Sequence, residues 1–353
     1  MRCFLTCLLF LSLSFSGHAA TKIEIEYHAP TDLFQLMDAA TGWYFNDPAY
    51  HTYWKQQFGW SAEDRRIAKR YKRYRHRTYD KSDQKKRSHL FSSRLSVSSK
   101  IDPLANHFVN AATVGDALSS FEELGSAKDA AMLRSFYAHF RPSWQLLLKE
   151  SSSFVQQARA LDRDLKSLRL DTFLGRLANF YKVDKDLVFY VRFVWGPPID
   201  RTRADIFGRT IFLHRHPVRH KDDTGWLGVI VHELAHHVSA HQSLSQKQGL
   251  SRDFLDICSV KTGLGNQLKV LEEPLAVAWG QAAFVKYGRK KRPDPANNWY
   301  SHPLIDVMGR LIWLHLDAIY KTDETITDGI ILDVARDCKR LSRAQKTLKP
   351  RSR

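Results

Sequence analysis

Apolar residues recur at helical spacing along most of the chain, with one β-rich interruption past its middle. Leu133, Phe136, Tyr137 and Phe140 lie one to four positions apart on one helical face, and residues 144–168 and 170–181 read as amphipathic helices. Leu187–Trp195 is instead β-branched and aromatic and stops at Gly196-Pro197-Pro198, which predicts a strand, and residues 210–214 make a second candidate. Residues 22–27 alternate charge with Ile and suit a short strand ahead of a helix start at Pro30-Thr31-Asp32. Later helices are expected through residues 231–236, near Phe254, and over 273–287, 304–320 and 326–341, and polar residues 78–103 read as a long surface loop. The pattern predicts an α+β fold, mostly helical, with a small β-sheet.

The N-terminus follows a different logic. Met1-Arg2, an apolar run from Cys3 to Phe15 and then Ser16-Gly17-His18-Ala19-Ala20 have the form of a secretory signal peptide over residues 1–20. The apolar run is shorter than the roughly 18 residues a spanning helix needs. An exported protein, periplasmic or secreted, is therefore expected. Removing residues 1–20 leaves Cys258 and Cys338, which an oxidising compartment would allow to pair.

The net charge of +17 implies attraction to anionic polymer or a membrane surface. Much of that charge lies in residues 65–77, RRIAKRYKRYRHR, where Tyr71 and Tyr74 are interleaved, and in the basic end of the chain. No nucleic-acid motif accompanies the first run, so it reads as a solvated helix face and not as a nucleic-acid platform.

Candidate chemistry concentrates in Val231-His232-Glu233-Leu234-Ala235-His236. Residues four apart on a helix are rotated by about 400°, so His232 and His236 project from one face and can share an ion. Zinc accepts two imidazoles and, in a catalytic site, keeps one position open for water, from which the neighbouring Glu233 could take a proton. The apolar flanks Val229, Ile230, Leu234 and Val238 suit a buried helix. A third His six residues beyond His236, the arrangement of one large class of zinc peptidases, is ruled out by Gln242. The expected third ligand is Glu273, at the start of a helix whose Ala276, Val277 and Gly280 allow close approach to the motif helix. Glu272 is the alternative, followed by Asp253 and Asp256. Pro274 would be tolerated in that helix's first turn. His214, His216 and His220 cluster nearby in sequence, but at no spacing that suits a second metal.

These residues, H-E-x-x-H followed by E-x-x-A at Glu273 and Ala276, make the chain similar to the gluzincins over roughly residues 187–320. The resemblance implies a zincin-like catalytic core over 187–341, preceded by a mainly helical region over 21–186 and followed by a basic flexible tail over 342–353. It also implies a zinc metallopeptidase that uses Zn2+ and hydrolyses peptide or protein substrates lying along an edge strand near the active-site helix. Ser301-His302-Pro303 with Arg310 resembles the His-Pro and Arg of the prenyl-protein and heat-shock membrane peptidases. By that likeness His302, or else Tyr300, would stabilise the oxyanion, and Arg310 would buttress Glu273. A rival reading is an exported cationic binding protein with a structural metal, attached to an anionic polymer or membrane surface through its basic segments.

Overall fold

The computed structural model describes residues 21–43, 48–79, 102–183, 186–198, 203–217, 224–258, 269–322, 324–326 and 328–348. The signal peptide assigned to 1–20, most of the loop expected over 78–103, and residues 349–353 lie outside the described residues. The described chain is mostly helical, built on a mixed sheet of four strands.

The sheet order is β1 (Thr21–Tyr27), β2 (Leu187–Trp195), β4 (Thr210–Arg215), β3 (Arg203–Phe207). β1 and β4 run parallel to β2, and β3 returns antiparallel along β4. The near-continuous apolar run of β2 follows from its central position, where both faces are covered. β3 is missing from the sequence expectation. Its five residues, RADIF, include two charges and lack the apolar β-branched and aromatic run that marks residues 187–195 and 210–214, and Gly208, at φ 56°, makes the tight turn into β4.

Among the described residues, nine α-helices separate β1 from β2: α1 (Ala29–Ala40), α2 (Pro48–Phe58), α3 (Ala62–Thr78), α4 (Pro103–Asn110), α5 (Val114–Ser119), α6 (Ala127–His139), α7 (Arg141–Glu150), α8 (Phe154–Ser167) and α9 (Asp171–Phe180). The helix expected over 144–168 is thus two, broken at Ser151–Ser153. There the Ser151 and Ser153 hydroxyls donate to the carbonyls of Leu147 and Glu150 and compete with the helical ladder. These helices share the sheet with the later part of the chain. Asp32 of α1 accepts the Trp195 N–H at 2.7 Å, and Arg192 of β2 donates to Glu26, its neighbour on β1, at 2.8 Å.

After the sheet come α10 (Thr224–Ala240), α11 (Leu244–Ile257), α12 (Lys269–Val277), a π-helical continuation (Ala278–Gly288), α13 (Pro303–Thr322) and α14 (Asp328–Leu348). Two expectations are corrected here. α12 begins at Lys269, so Pro274 sits inside the helix and not in its first turn. Its missing N–H removes a ladder bond shortly before the helix widens into the π form. α14 also runs through Leu348, so residues 342–348 belong to a helix and not to a flexible tail. Past Gly329 in its first turn, no Gly or Pro interrupts the sequence before Pro350. Cys258, at the end of α11, and Cys338, on α14, are joined as a disulfide with Cα atoms 5.8 Å apart. No helix of the described residues is long and apolar enough to cross a membrane.

Candidate metal centre

α10 is apolar almost all round. Trp226, Ile230, Val231, Leu234 and Val238 are buried, which is the composition of a helix enclosed on every side. Its His237 ring lies 4.5 Å from that of Phe189 on β2, which seats the helix on the sheet. On another side α10 meets the π-helical continuation. A Cβ at Gly280 would come within 2.6 Å of the Gly228 carbonyl oxygen and 2.8 Å of the His232 Cβ, so only glycine permits this approach. The small-residue face expected to bring the two helices together is therefore present, and Gly280 is its closest point.

This packing brings His232, His236 and Glu273 together, all buried, with one ligand atom from each within 4.8 Å of the others. The His232 and His236 Nε2 atoms are 3.2 Å apart. Glu273 Oε1 lies 3.4 Å from His232 Nε2, and its Oε2 lies 3.5 Å from His236 Nε2. In a tetrahedral shell with zinc–ligand distances near 2.0–2.1 Å, neighbouring ligand atoms stand about 3.3–3.4 Å apart; the two Nε2 atoms lie close to that spacing and each meets a different Glu273 oxygen, so the three residues could hold a metal ion.

Glu272 occupies a different place. Its Oε1 lies 3.2 Å from His236 Nδ1, on the far side of the ring from Glu273. A carboxylate there accepts the Nδ1–H and leaves Nε2 available as a ligand atom, which orients the imidazole. The two neighbouring glutamates thus divide between ligand position and ring support. Asp253 and Asp256, on α11, are not in the cluster.

The electrostatics are those of a tight ionic cluster. Burial works against a charged His236, but the Glu273 and Glu272 carboxylates outweigh it and push its pKa up to about 10. Burial likewise opposes ionisation of Glu273, yet His236 and His232 hold its carboxyl well below the usual carboxylate range. Glu233, next to His232 on α10, is also buried, at 7% exposure.

The loop before α13 completes the surroundings. Tyr300 donates its hydroxyl to Glu273 Oε1 at 2.7 Å, and its ring stacks over that of His232 at 6.1 Å. Arg310 does not buttress Glu273 directly. Its Nε donates to Asp306 at 2.8 Å, its remaining nitrogens donate to the Pro295 and Asn297 carbonyls, and its plane covers the Trp299 ring. Asp306 in turn accepts the backbone N–H groups of Trp299 and Tyr300, at 2.5 and 3.1 Å. Arg310 therefore holds the turn that presents Tyr300 and reaches the ligand only through it. His302 lies at the start of α13, where its carbonyl accepts the Asp306 N–H; no described hydrogen bond or ion pair links it to the cluster. The Asp306 relay was not legible in the sequence, because it depends on a turn folding back over α13.

His214, on β4, is buried between the Tyr50 hydroxyl, 2.6 Å from Nδ1, and the Asp205 carboxylate, 3.0 Å from Nε2. His216 packs beside Trp195, and His220 lies outside the described residues. No protein-family model, curated protein or solved structure matches the chain.

Proposed function

We propose that this chain is a zinc-dependent peptidase acting outside the cytoplasm. The observation that carries the reading is the buried cluster of His232, His236 and Glu273, in which the two Nε2 atoms lie 3.2 Å apart and each faces one Glu273 oxygen, at 3.4 and 3.5 Å, with Glu233 next to His232 in sequence and also buried. An ion pair between His236 and the two glutamates would explain why those side chains cluster. It gives no reason for the His232 and His236 Nε2 atoms to converge on a common point.

Zinc held by these three residues would polarise a peptide carbonyl and lower the pKa of a water molecule. The chain supplies the rest. Glu233 accepts the water's proton and returns it to the departing amine. Glu272 fixes the His236 ring through Nδ1. Tyr300, with His302 as the alternative donor, offers a hydrogen bond to the oxyanion. Antiparallel β3, at the sheet edge, gives an extended peptide a backbone to pair with. The Cys258–Cys338 disulfide supports export to an oxidising compartment.

A cationic binding protein with a structural metal is the competing reading. Structural zinc sites close their shell with four protein ligands, whereas the cluster among the described residues has three. Chelation separates the two. A catalytic zinc leaves on chelation with the fold intact, and peptide hydrolysis returns when zinc is restored. Unfolding on chelation, or zinc-loaded protein that cleaves no peptide, would favour the structural role.

A further inference from the structure

α3 and α6 flank a solvent-open cavity of about 480 Å³ that shares no residue with the metal cluster. Arg70, Arg73 and Arg77 recur at helical spacing and line one wall, and Lys128 faces them from α6. Among the described residues, the only acid in the lining is Asp129. It is already engaged by Arg77 at 2.5 Å and by the Ser126 hydroxyl at 2.9 Å. Arg70, Arg73 and Lys128 are exposed and have no hydrogen bond or ion pair among the described residues, so the lining, with four cations and one acid, carries a net positive charge of about three.

The floor is apolar. Ile67, Met132 and Phe136 form it together with the ring of Tyr74, whose buried hydroxyl has no hydrogen-bond partner. The walls are held rigidly from beneath. Arg75 is completely buried and donates to both Asp38 and Asp102, and the Tyr71 ring stacks on Phe136 at 3.9 Å. His139 of α6 also pairs with Asp64 of α3 at 2.6 Å. A preformed concavity of this size is typical of small-ligand sites.

We infer that this cavity binds a phosphate monoester attached to an apolar body. The charge decides the class of ligand. A single carboxylate would neutralise one of the free cations, whereas a phosphate monoester carries close to two negative charges and offers oxygens that match the guanidinium fork. The apolar floor takes the organic part of the same ligand. Both a phospholipid headgroup and a soluble phosphorylated molecule present this chemistry. The inference is independent of the metal site and goes beyond the proposed peptidase.

The test uses the full mature chain. Phenyl phosphate, inorganic phosphate and benzoate are titrated calorimetrically, and phosphatidylcholine vesicles with and without phosphatidic acid are used in flotation. Phenyl phosphate is expected to bind at one site, more tightly than either inorganic phosphate or benzoate. Arg73→Gln should weaken it about tenfold or more, the loss of one charge-assisted hydrogen bond. Met132→Trp, which fills the cavity without changing its charge, should do the same. Arg163→Gln, an equal loss of charge on α8, should leave binding unchanged. Melting temperature and zinc content verify that each variant is folded.

Flotation that requires phosphatidic acid and is lost in Arg73→Gln identifies a lipid headgroup. Phenyl phosphate binding without flotation identifies a soluble ligand. Failure of both probes, benzoate binding as tightly as phenyl phosphate, or equal weakening by Arg163→Gln would overturn the inference.

Discussion

The Tyr300 hydroxyl donates to Glu273 Oε1 at 2.7 Å, which ties the loop before α13 to the third donor of the candidate metal centre. Tyr300→Phe removes that bond and keeps the ring that stacks over His232. Outer hydrogen bonds of this kind are worth about 10–100-fold in metal affinity, so zinc binding, measured by chelator competition, should weaken within that range. Asp306→Asn loosens the same loop and should weaken zinc in the same direction. Unchanged affinity in both variants would mean that Tyr300 does not support the ligand.

Glu272 and Glu273 are adjacent in sequence but unequal in role. Glu273→Gln should abolish stoichiometric zinc binding. Glu272→Gln should retain zinc, with affinity lowered by about 10–100-fold, because only the orientation of His236 is relaxed. The reverse order would make Glu272 the ligand.

The raised pKa of His236 sets a pH dependence. With its ordinary value of 6.5 moved to about 10, the metal-free centre holds a proton on His236 near neutrality. That proton stabilises the metal-free fold fully below 6.5, and the stabilisation is lost as pH rises through about 10. Zinc must displace it. Affinity should therefore rise about tenfold per pH unit from near neutrality up to about pH 9, with about one proton released in calorimetry. An affinity independent of pH over that interval would exclude an imidazolium in the metal-free centre.

How far the sequence could be read follows from which interactions are local. The i, i+4 pair His232 and His236, the strand Leu187–Trp195 and the small-residue face at Gly280 depend on spacing within one element, and all three stand as expected. β3 was invisible because Arg203 and Asp205 leave it without the apolar run that marks β2 and β4. The expected contact of Arg310 with Glu273 fails because Asp306, four residues before Arg310 on the same helix, takes the guanidinium instead. The separate duties of Glu272 and Glu273 depend on which side of His236 each one meets, a tertiary relation that no spacing encodes.

Gly280 should tolerate no side chain. Gly280→Ala forces a methyl group against the Gly228 carbonyl and the His232 Cβ. Overpacking of this kind costs about 1–3 kcal/mol, which denaturant unfolding would detect, and zinc affinity should fall because His232 must move. Wild-type stability and affinity in this variant would mean that the two helices are not in close contact.

The disulfide closes a long loop, since Cys258 and Cys338 are 80 residues apart. In the chain-entropy view, replacing both with Ser should lower stability by about 4.5 kcal/mol. Urea unfolding of the oxidised wild type and the double variant measures the difference. Equal midpoints would indicate that the bond contributes nothing to the fold.

Cleavage of a peptide library by the zinc-loaded protein, read as new termini by mass spectrometry, addresses the peptidase reading itself. Wild type should cut, and chelator should stop it. Glu233→Gln should keep its zinc and melting temperature while cutting at least about a hundredfold more slowly, the contribution of a general base. Undiminished cutting by Glu233→Gln, or no cutting by the zinc-loaded wild type, would contradict it.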